Sequence, residues 1–210
     1  FVAMDTKALS SYEHRFTNSK NTAARLQSYN GLDSKALYHP PRLVGRYENI
    51  GYENYILSVG RLDKLKRIDA LISALPYVDH KIKCKIAGSG PEREPLEKLA
   101  RKLKVSDRVE FLGYVSDEAL IALYGRSSAV YFAPVDEDYG YITLEAFLSQ
   151  KPVITSVDAG GPLEFVAHEV NGVILQNLLP QELGENIESL IFDKPRCADM
   201  GRSGFESVEK

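Results

Sequence analysis

Along this chain, runs of consecutive apolar residues alternate with segments whose apolar positions recur every three or four residues. "NYILSVG" (54–60) is a continuous apolar run, the pattern of a strand buried on both faces of a parallel sheet. "KLKRIDALISALPYV" follows it and spaces Leu65, Ile68, Leu71, Ile72 and Leu75 at helical intervals, which predicts one helix across the segment. "KIKCKIAG" predicts a strand, and "PEREPLEKLARKLKV" a helix with Pro91 at its start and acids in its first turn. "RVEFLG" predicts a strand, then "SDEALIALYGRS" a helix opened by Ser116 as N-cap. "AVYFAPV", "YITLEAFLSQ", "KPVITSV", "GPLEFVAHE", "NGVIL" and "PQELGENIESLIF" continue the alternation, and "CADMGRSGFESVEK" reads as helical. Upstream, "HRFTNS" (14–19) is a short extended run. "KNTAARLQSYNGL" has a helical period ending near Gly31, and "SKALYHPP" is extended up to two prolines.

Strict strand–helix alternation with buried-type strands predicts an α/β fold: a doubly wound, Rossmann-like parallel sheet with helices on both faces and about seven units. Residues 41–210 are expected to form this one domain, with 1–40 as a linking region that carries the first strand and helix and packs on it. No internal repeat and no low-complexity segment interrupts the pattern.

Composition narrows the function classes. Hydrophobic residues make up 44%, charged residues 26%, and the formal net charge is −3, so no whole-chain field draws nucleic acid or an acidic membrane. The two cysteines, Cys84 and Cys197, make neither a disulfide framework nor a zinc site, which suits a reduced, cytoplasmic setting. No apolar run has the length of a membrane span, and the start has neither the basic leader nor the apolar stretch of a signal peptide. Because the chain begins with Phe1, it is expected to be a piece of a longer one.

Ligands of doubly wound sheets bind outside the carboxyl ends of the strands, so the loops there carry the functional signal. In "VGRLDKLKRID", Gly60 ends a strand, Arg61 offers a planar fork for phosphate oxygens, and Lys64 and Lys66 add mobile charge. A solvated charge cluster explains the same letters. "AGSGPERE" places Gly88 and Gly90 at a tight turn and lacks the third glycine of a dinucleotide fingerprint, since Arg93 stands there. In "LGYVSDE", backbone groups of Tyr114 and Val115 are positioned to meet a flat heterocycle. "SVDAGGPLEFV" reads as a close-packed turn before a helix beginning near Pro162.

"DEDYGYITLEAF" (136–147) holds the most chemistry. Eight residues separate Glu137 from Glu145, about 12 Å along a helix and on different faces, so they approach one ligand only if Glu137 ends a strand and Glu145 lies inside the next helix. Gly140 then leaves the amides of Gly140, Tyr141, Ile142 and Thr143 pointing out of a helix N-terminus, a natural phosphate site. Glu145 suits a bidentate contact with a ribose diol, and Glu137 suits the hydroxyls of a sugar beyond the phosphates. Helix-start decoration by acids is the plainer explanation of both. Without a glycine fingerprint or a P-loop motif, the loops together fit a sugar nucleotide best.

These residues resemble a known family. "SVGRLDKLKRID", "AGSGP", "RVEFLGYVSDEALIALY" and "EDYGYITLEAFLSQKPVITSVDAGGPLEFV" look like the donor half of retaining GT-B glycosyltransferases of group 1 (family 4). "TNSKNTAARLQSYNGLDSKALYHPP" resembles that family's interdomain stretch, and Glu137 and Glu145 match its E-x7-E motif. The resemblance implies the C-terminal half of a GT-B fold, binding a nucleotide-diphosphate sugar of the GDP-mannose or UDP-glucose type for retaining hexose transfer. Arg61 and Lys66 would stabilise the leaving diphosphate, with Glu137 on the transferred sugar as the third catalytic residue. Gly60, Tyr114, Val115, Gly140, Tyr141, Ile142, Thr143 and Glu145 would bind the donor. No metal or other cofactor is implied. The acceptor, a sugar or glycolipid in polysaccharide or glycoconjugate synthesis, would be met through an N-terminal domain outside this chain, which would also provide any attachment to the inner membrane surface. By the same reading, the isolated piece would be inactive. A non-catalytic nucleotide-sugar-binding module and a GT-B-fold epimerase or phosphorylase are the alternatives. Two departures stand out: Tyr139 where phenylalanine is common, and Arg67 where glycine often follows the lysine, with the expectation that Arg67 adds charge to the phosphate site.

Overall fold

A computed structural model describes residues 2–209. The chain opens with helix α1 (Val2–Ser10), which the apolar pattern does not predict; it buries no residue and is tied to the next helix through Asn30 Nδ2, which donates to Thr6 Oγ1 at 2.8 Å. Strand β1 (Phe16–Thr17), helix α2 (Lys20–Asn30) and strand β2 (Lys35–Ala36) follow, and β1 and β2 pair in parallel as a small separate sheet. The α2 boundaries are set by side-chain chemistry. Ser19 accepts from the Thr22 amide at its start, and Gly31 closes it in the left-handed region with φ 64.

The main body alternates β3 (Tyr55–Val59), α3 (Ile68–Ala74), β4 (Lys83–Ala87), α4 (Arg93–Lys102), β5 (Val109–Gly113) and α5 (Asp117–Arg126). It continues with β6 (Ala129–Tyr131), α6 (Tyr141–Leu148), β7 (Val153–Ser156), β8 (Gly172–Leu175), α7 (Pro180–Phe192) and α8 (Lys194–Val208). Its six strands are all parallel in the order β5-β4-β3-β6-β7-β8. The order starts in the middle and winds outwards in both directions, which is the doubly wound arrangement expected, with six main-sheet units rather than seven.

Side chains alternate across the sheet as the pleat requires. Ile56, Ile86, Ala129, Tyr131 and Ile154 pack with α3, α4 and α7 on one face. Tyr55, Leu57, Val130, Phe132 and Val153 pack with α5 and α6 on the other. Each fully buried aliphatic or aromatic side chain here contributes about 1.5–3 kcal/mol through loss of apolar surface from water. The last helix docks by close approach: a Cβ on Gly201 would lie 2.1 Å from the Gln150 carbonyl oxygen.

Three local expectations are corrected. The segment after β3 is not one helix; a 3-10 turn (Lys64–Lys66) ends at Arg67, whose φ of 49 breaks the path before α3, and Leu65 is exposed. The α4 helix starts at Arg93, not at Pro91. The "GPLEFVAHE" segment forms a 3-10 turn, Gly161–Glu164, and then unwinds. Buried Asn171 takes over its backbone there, accepting from the Ala167 amide at 2.7 Å and donating to the Phe165 carbonyl at 3.0 Å.

Candidate functional site

The strand order reverses between β3 and β6, so the loops leaving those two strands flank the crevice that such sheets offer to ligands. The β3 loop carries Gly60, Arg61 and the 3-10 turn ending at Lys66; the β6 loop carries Glu137 and leads into α6. The two loops meet. Lys66 Nζ pairs directly with Glu137 Oε2, both side chains being largely withdrawn from solvent. The same ammonium stands 5.5 Å from the centre of the Phe132 ring. That ring also abuts the start of α6, 3.2 Å from where a Cβ on Gly140 would sit.

Contrary to the expectation from the letters, Glu137 does not end its strand. β6 stops at Tyr131, and Glu137 is instead gripped by the loop after β7. Its amide donates to the Ala159 carbonyl at 2.9 Å, and its own carbonyl accepts from Gly161 at 2.7 Å. Asn21 of α2 adds a third bond, Nδ2 donating to the Glu137 carbonyl at 3.0 Å.

Gly140 precedes α6 with φ 88, a conformation costly for any other residue, and a Cβ there would also press on Pro162 at 2.9 Å. The helix start is less open than the sequence suggests. Thr143 donates its amide to Gly140 O at 2.9 Å and its side chain is fully buried, so the donors left at this terminus are Gly140, Tyr141 and Ile142. Ile142 reaches across to β3: its Cδ1 is 3.5 Å from where a Cβ on Gly60 would lie.

Glu145, one turn into α6, is half-buried, and its Oε2 accepts from the Tyr124 hydroxyl at 2.7 Å. Burial raises its pKa above the ordinary carboxylate value, and the Tyr124 hydrogen bond and the nearby Tyr47 hydroxyl oppose that rise. Arg61 is exposed and forms no ion pair among the described residues, leaving its guanidinium available. Tyr114, just past β5, exposes 89% of its surface, and Val115 is half-buried beside it. The ends of the three neighbouring strands are stitched together by Gly60 N–H to Ala87 O at 3.0 Å and Gly88 N–H to Gly113 O at 2.8 Å.

Arg67 does not add charge to a phosphate site. Its guanidinium donates to Ala133 O at 2.7 Å, Pro134 O at 2.6 Å and Ser156 Oγ at 2.6 Å, and grips both oxygens of Asp158 at 2.8 and 2.9 Å. Tyr139 has its own explanation: the hydroxyl donates to His39 O at 2.8 Å and accepts from His39 N–H at 3.2 Å, a link that phenylalanine lacks.

Sequence reasoning missed Tyr124, Tyr47 and Glu164. Tyr124 stands in a segment read for its apolar spacing and Tyr47 in a stretch given no element, although a buried tyrosine hydroxyl calls for a partner and is itself a signal. Glu164 accepts from the amides of Lys20 and Asn21 at 3.1 and 2.8 Å and from the Tyr38 hydroxyl at 2.6 Å, which pins α2 to the main body. Nothing local to Glu164 announces partners more than a hundred residues away.

Comparison with known proteins supplies a family. A family model described as "Glycosyl transferases group 1" matches residues 46–207. Over 143 residues the chain is 38% identical to an uncharacterized glycosyltransferase of Methanocaldococcus jannaschii, covering 67% of this chain and 36% of that one. It is 30% identical over 216 aligned positions to the GDP-mannose-dependent alpha-(1-6)-phosphatidylinositol monomannoside mannosyltransferase of Mycobacterium tuberculosis, covering 95% of this chain and 56% of that one. The chain thus spans about half the length of the relatives it matches, or less. Among solved structures, Anabaena HepE in complex with UDP and glucose superposes with a TM-score of 0.85 at 21% identity, covering 99% of this chain and 61% of that one. The shared fold is that of GT-B glycosyltransferases.

Proposed function

The chain belongs to the group 1 glycosyl transferases, and on that premise we propose that it is the donor-binding half of a retaining hexosyltransferase. The observation that carries the reading is the convergence, at the strand-order reversal, of the Lys66–Glu137 pair with the open N-terminus of α6. A diphosphate bridging those features would meet Lys66 and Arg61 on one side and the amides of Gly140, Tyr141 and Ile142 on the other. Charge-assisted bonds of this kind contribute about 1.5–3 kcal/mol each.

In this reading Glu145 accepts from the two ribose hydroxyls, and backbone at Tyr114 and Val115 meets the base. Glu137 accepts from hydroxyls of the transferred hexose. As the glycosidic bond breaks, negative charge gathers on the departing phosphate. Lys66, Arg61 and the positive end of α6 stabilise it in place, which supports transfer without a metal. The name of the mycobacterial relative favours a GDP-mannose donor, and that of the Anabaena structure keeps a UDP-glucose donor in contention. The acceptor, a sugar or glycolipid, would be bound by the part of the relatives' length that this chain does not span.

Isothermal titration with GDP, UDP, ADP and NAD in turn, without added metal, tests the reading. Binding of one nucleoside diphosphate and not NAD is expected and names the base. Binding of NAD alone, or of none of the four, counts against the site as drawn.

A further inference from the structure

The carboxylate assigned to the ribose is not free to choose its own direction. Tyr124, on α5, is fully buried, and its hydroxyl donates to Glu145 Oε2 at 2.7 Å. The Tyr47 ring stands edge-on to Tyr124 with centroids 5.9 Å apart, closing the pocket from the segment before β3. The Tyr47 hydroxyl, buried close to Glu145, makes no hydrogen bond among the described residues.

We propose that Tyr124 is a positioning residue: it anchors one oxygen of Glu145 from beneath, so that the other oxygen is presented to the sugar of a bound nucleotide in a single orientation. This rests on the reading that Glu145 holds the ribose. A glutamate on a helix surface samples several rotamers, and each must be frozen out when a diol binds. A fixed donor behind the carboxylate meets that entropic cost during folding rather than at binding. Tyr124 can do this steadily because burial holds its hydroxyl well above the usual tyrosine range, where it stays protonated and therefore a donor. The bond occupies Oε2 and leaves Oε1, with its two lone pairs, for the neighbouring hydroxyls that distinguish ribose from deoxyribose. The same tether supports a carboxylate that lies half-buried beside aromatic rings and, among the described residues, has no ion pair.

The experiment compares the unmodified chain, Y124F and E145A by titration with GDP and UDP and with their 2′-deoxy counterparts. The unmodified chain should prefer the ribonucleotide, E145A should lose that preference, and Y124F should lose about fivefold or more of it. Phenylalanine keeps the ring packing, so a merely structural loss would weaken both nucleotides equally and leave the ratio unchanged. A Y124F chain with the full ratio overturns the positioning role, while E145A with the full ratio overturns the ribose assignment itself. A nucleotide-free arm separates the two further: by carboxyl-carbon resonance, Glu145 should titrate at higher pH in Y124F than in the unmodified chain, and coincident curves overturn the tether. In the unmodified chain the Tyr124 hydroxyl proton should exchange slowly with water. Fast exchange overturns the tether even if the variant does not fold.

Discussion

Lys66 and Glu137, brought together from loops 71 residues apart, form an ion pair. A diphosphate arriving at Lys66 therefore competes with Glu137, and releasing the glutamate frees it for the donor's sugar. Replacing each partner should have opposite effects. K66A is expected to weaken nucleoside diphosphate binding about 10- to 100-fold, the worth of one or two charge-assisted bonds. E137Q should leave that affinity unchanged or improve it, because the ammonium loses its competitor. Calorimetric titration of both variants decides the matter, and equal losses in the two would sink the competition.

Arg67 occupies a left-handed backbone position, φ 49, and still uses every arm of its guanidinium on the ends of β6 and β7. Two opposing terms can be separated there. R67A removes the clamp, leaving the Ala133 and Pro134 carbonyls without it, and should cost about 2–4 kcal/mol. R67G removes the clamp too, but relieves about 1 kcal/mol of backbone strain and should be the more stable of the two. Urea unfolding at neutral pH measures both. R67G as stable as the unmodified chain would mean that the clamp contributes nothing.

Glu164 holds the amino end of α2 against the 3-10 turn after β7, Gly161–Glu164. In E164A, hydrogen exchange should quicken across residues 16–36 and stay unchanged in β3 to β8, with a stability loss of about 1 kcal/mol typical of a lost helix cap. Uniform quickening through the main sheet would show that this contact supports the whole domain rather than one helix.

Much of this architecture was readable because buried parallel strands are plain apolar runs. β3 and β7 stand out for that reason, and Ser116 marks α5 by the same capping chemistry found in the structure. The misreadings share a cause. Leu65 fits a helical period, but Arg67 leaves that path to reach Asp158, a partner 91 residues on. "GPLEFVAHE" has a helical look until Asn171 claims its backbone. The candidate site follows the same rule: Lys66, Glu137 and Gly140 carry their chemistry in the letters. Tyr124 acquires a role only from the fold, because a tyrosine at an apolar helical position reads as core until its partner on α6 is seen.

Lys151 supplies a pH dependence that can be checked without any ligand. It lies fully buried at the turn between α6 and β7, donating to Asn49 Oδ1 at 2.7 Å and Gly51 O at 2.6 Å, with its ammonium 3.9 Å from the centre of the Tyr52 ring. Burial pushes its pKa down from 10.5 to about 7, Cys197 acting against that shift and Lys194 with it, while the two oxygens and the ring accommodate the charge. The folded value is thus below the unfolded one. Between about pH 7 and 10.5 the unfolded chain binds a proton that the folded chain does not, so stability should rise with pH across that window. Below about 7 both states are protonated and the cost of the buried charge is present in full. K151M removes the titration, and its melting temperature should not share this rise. Thermal unfolding of both chains from about pH 6 to pH 9 gives the comparison. The melting temperature of the unmodified chain should climb relative to K151M as pH increases. Parallel curves would mean that the amine keeps its proton in the folded chain, held by Asn49, Gly51 and Tyr52 strongly enough to cancel its burial.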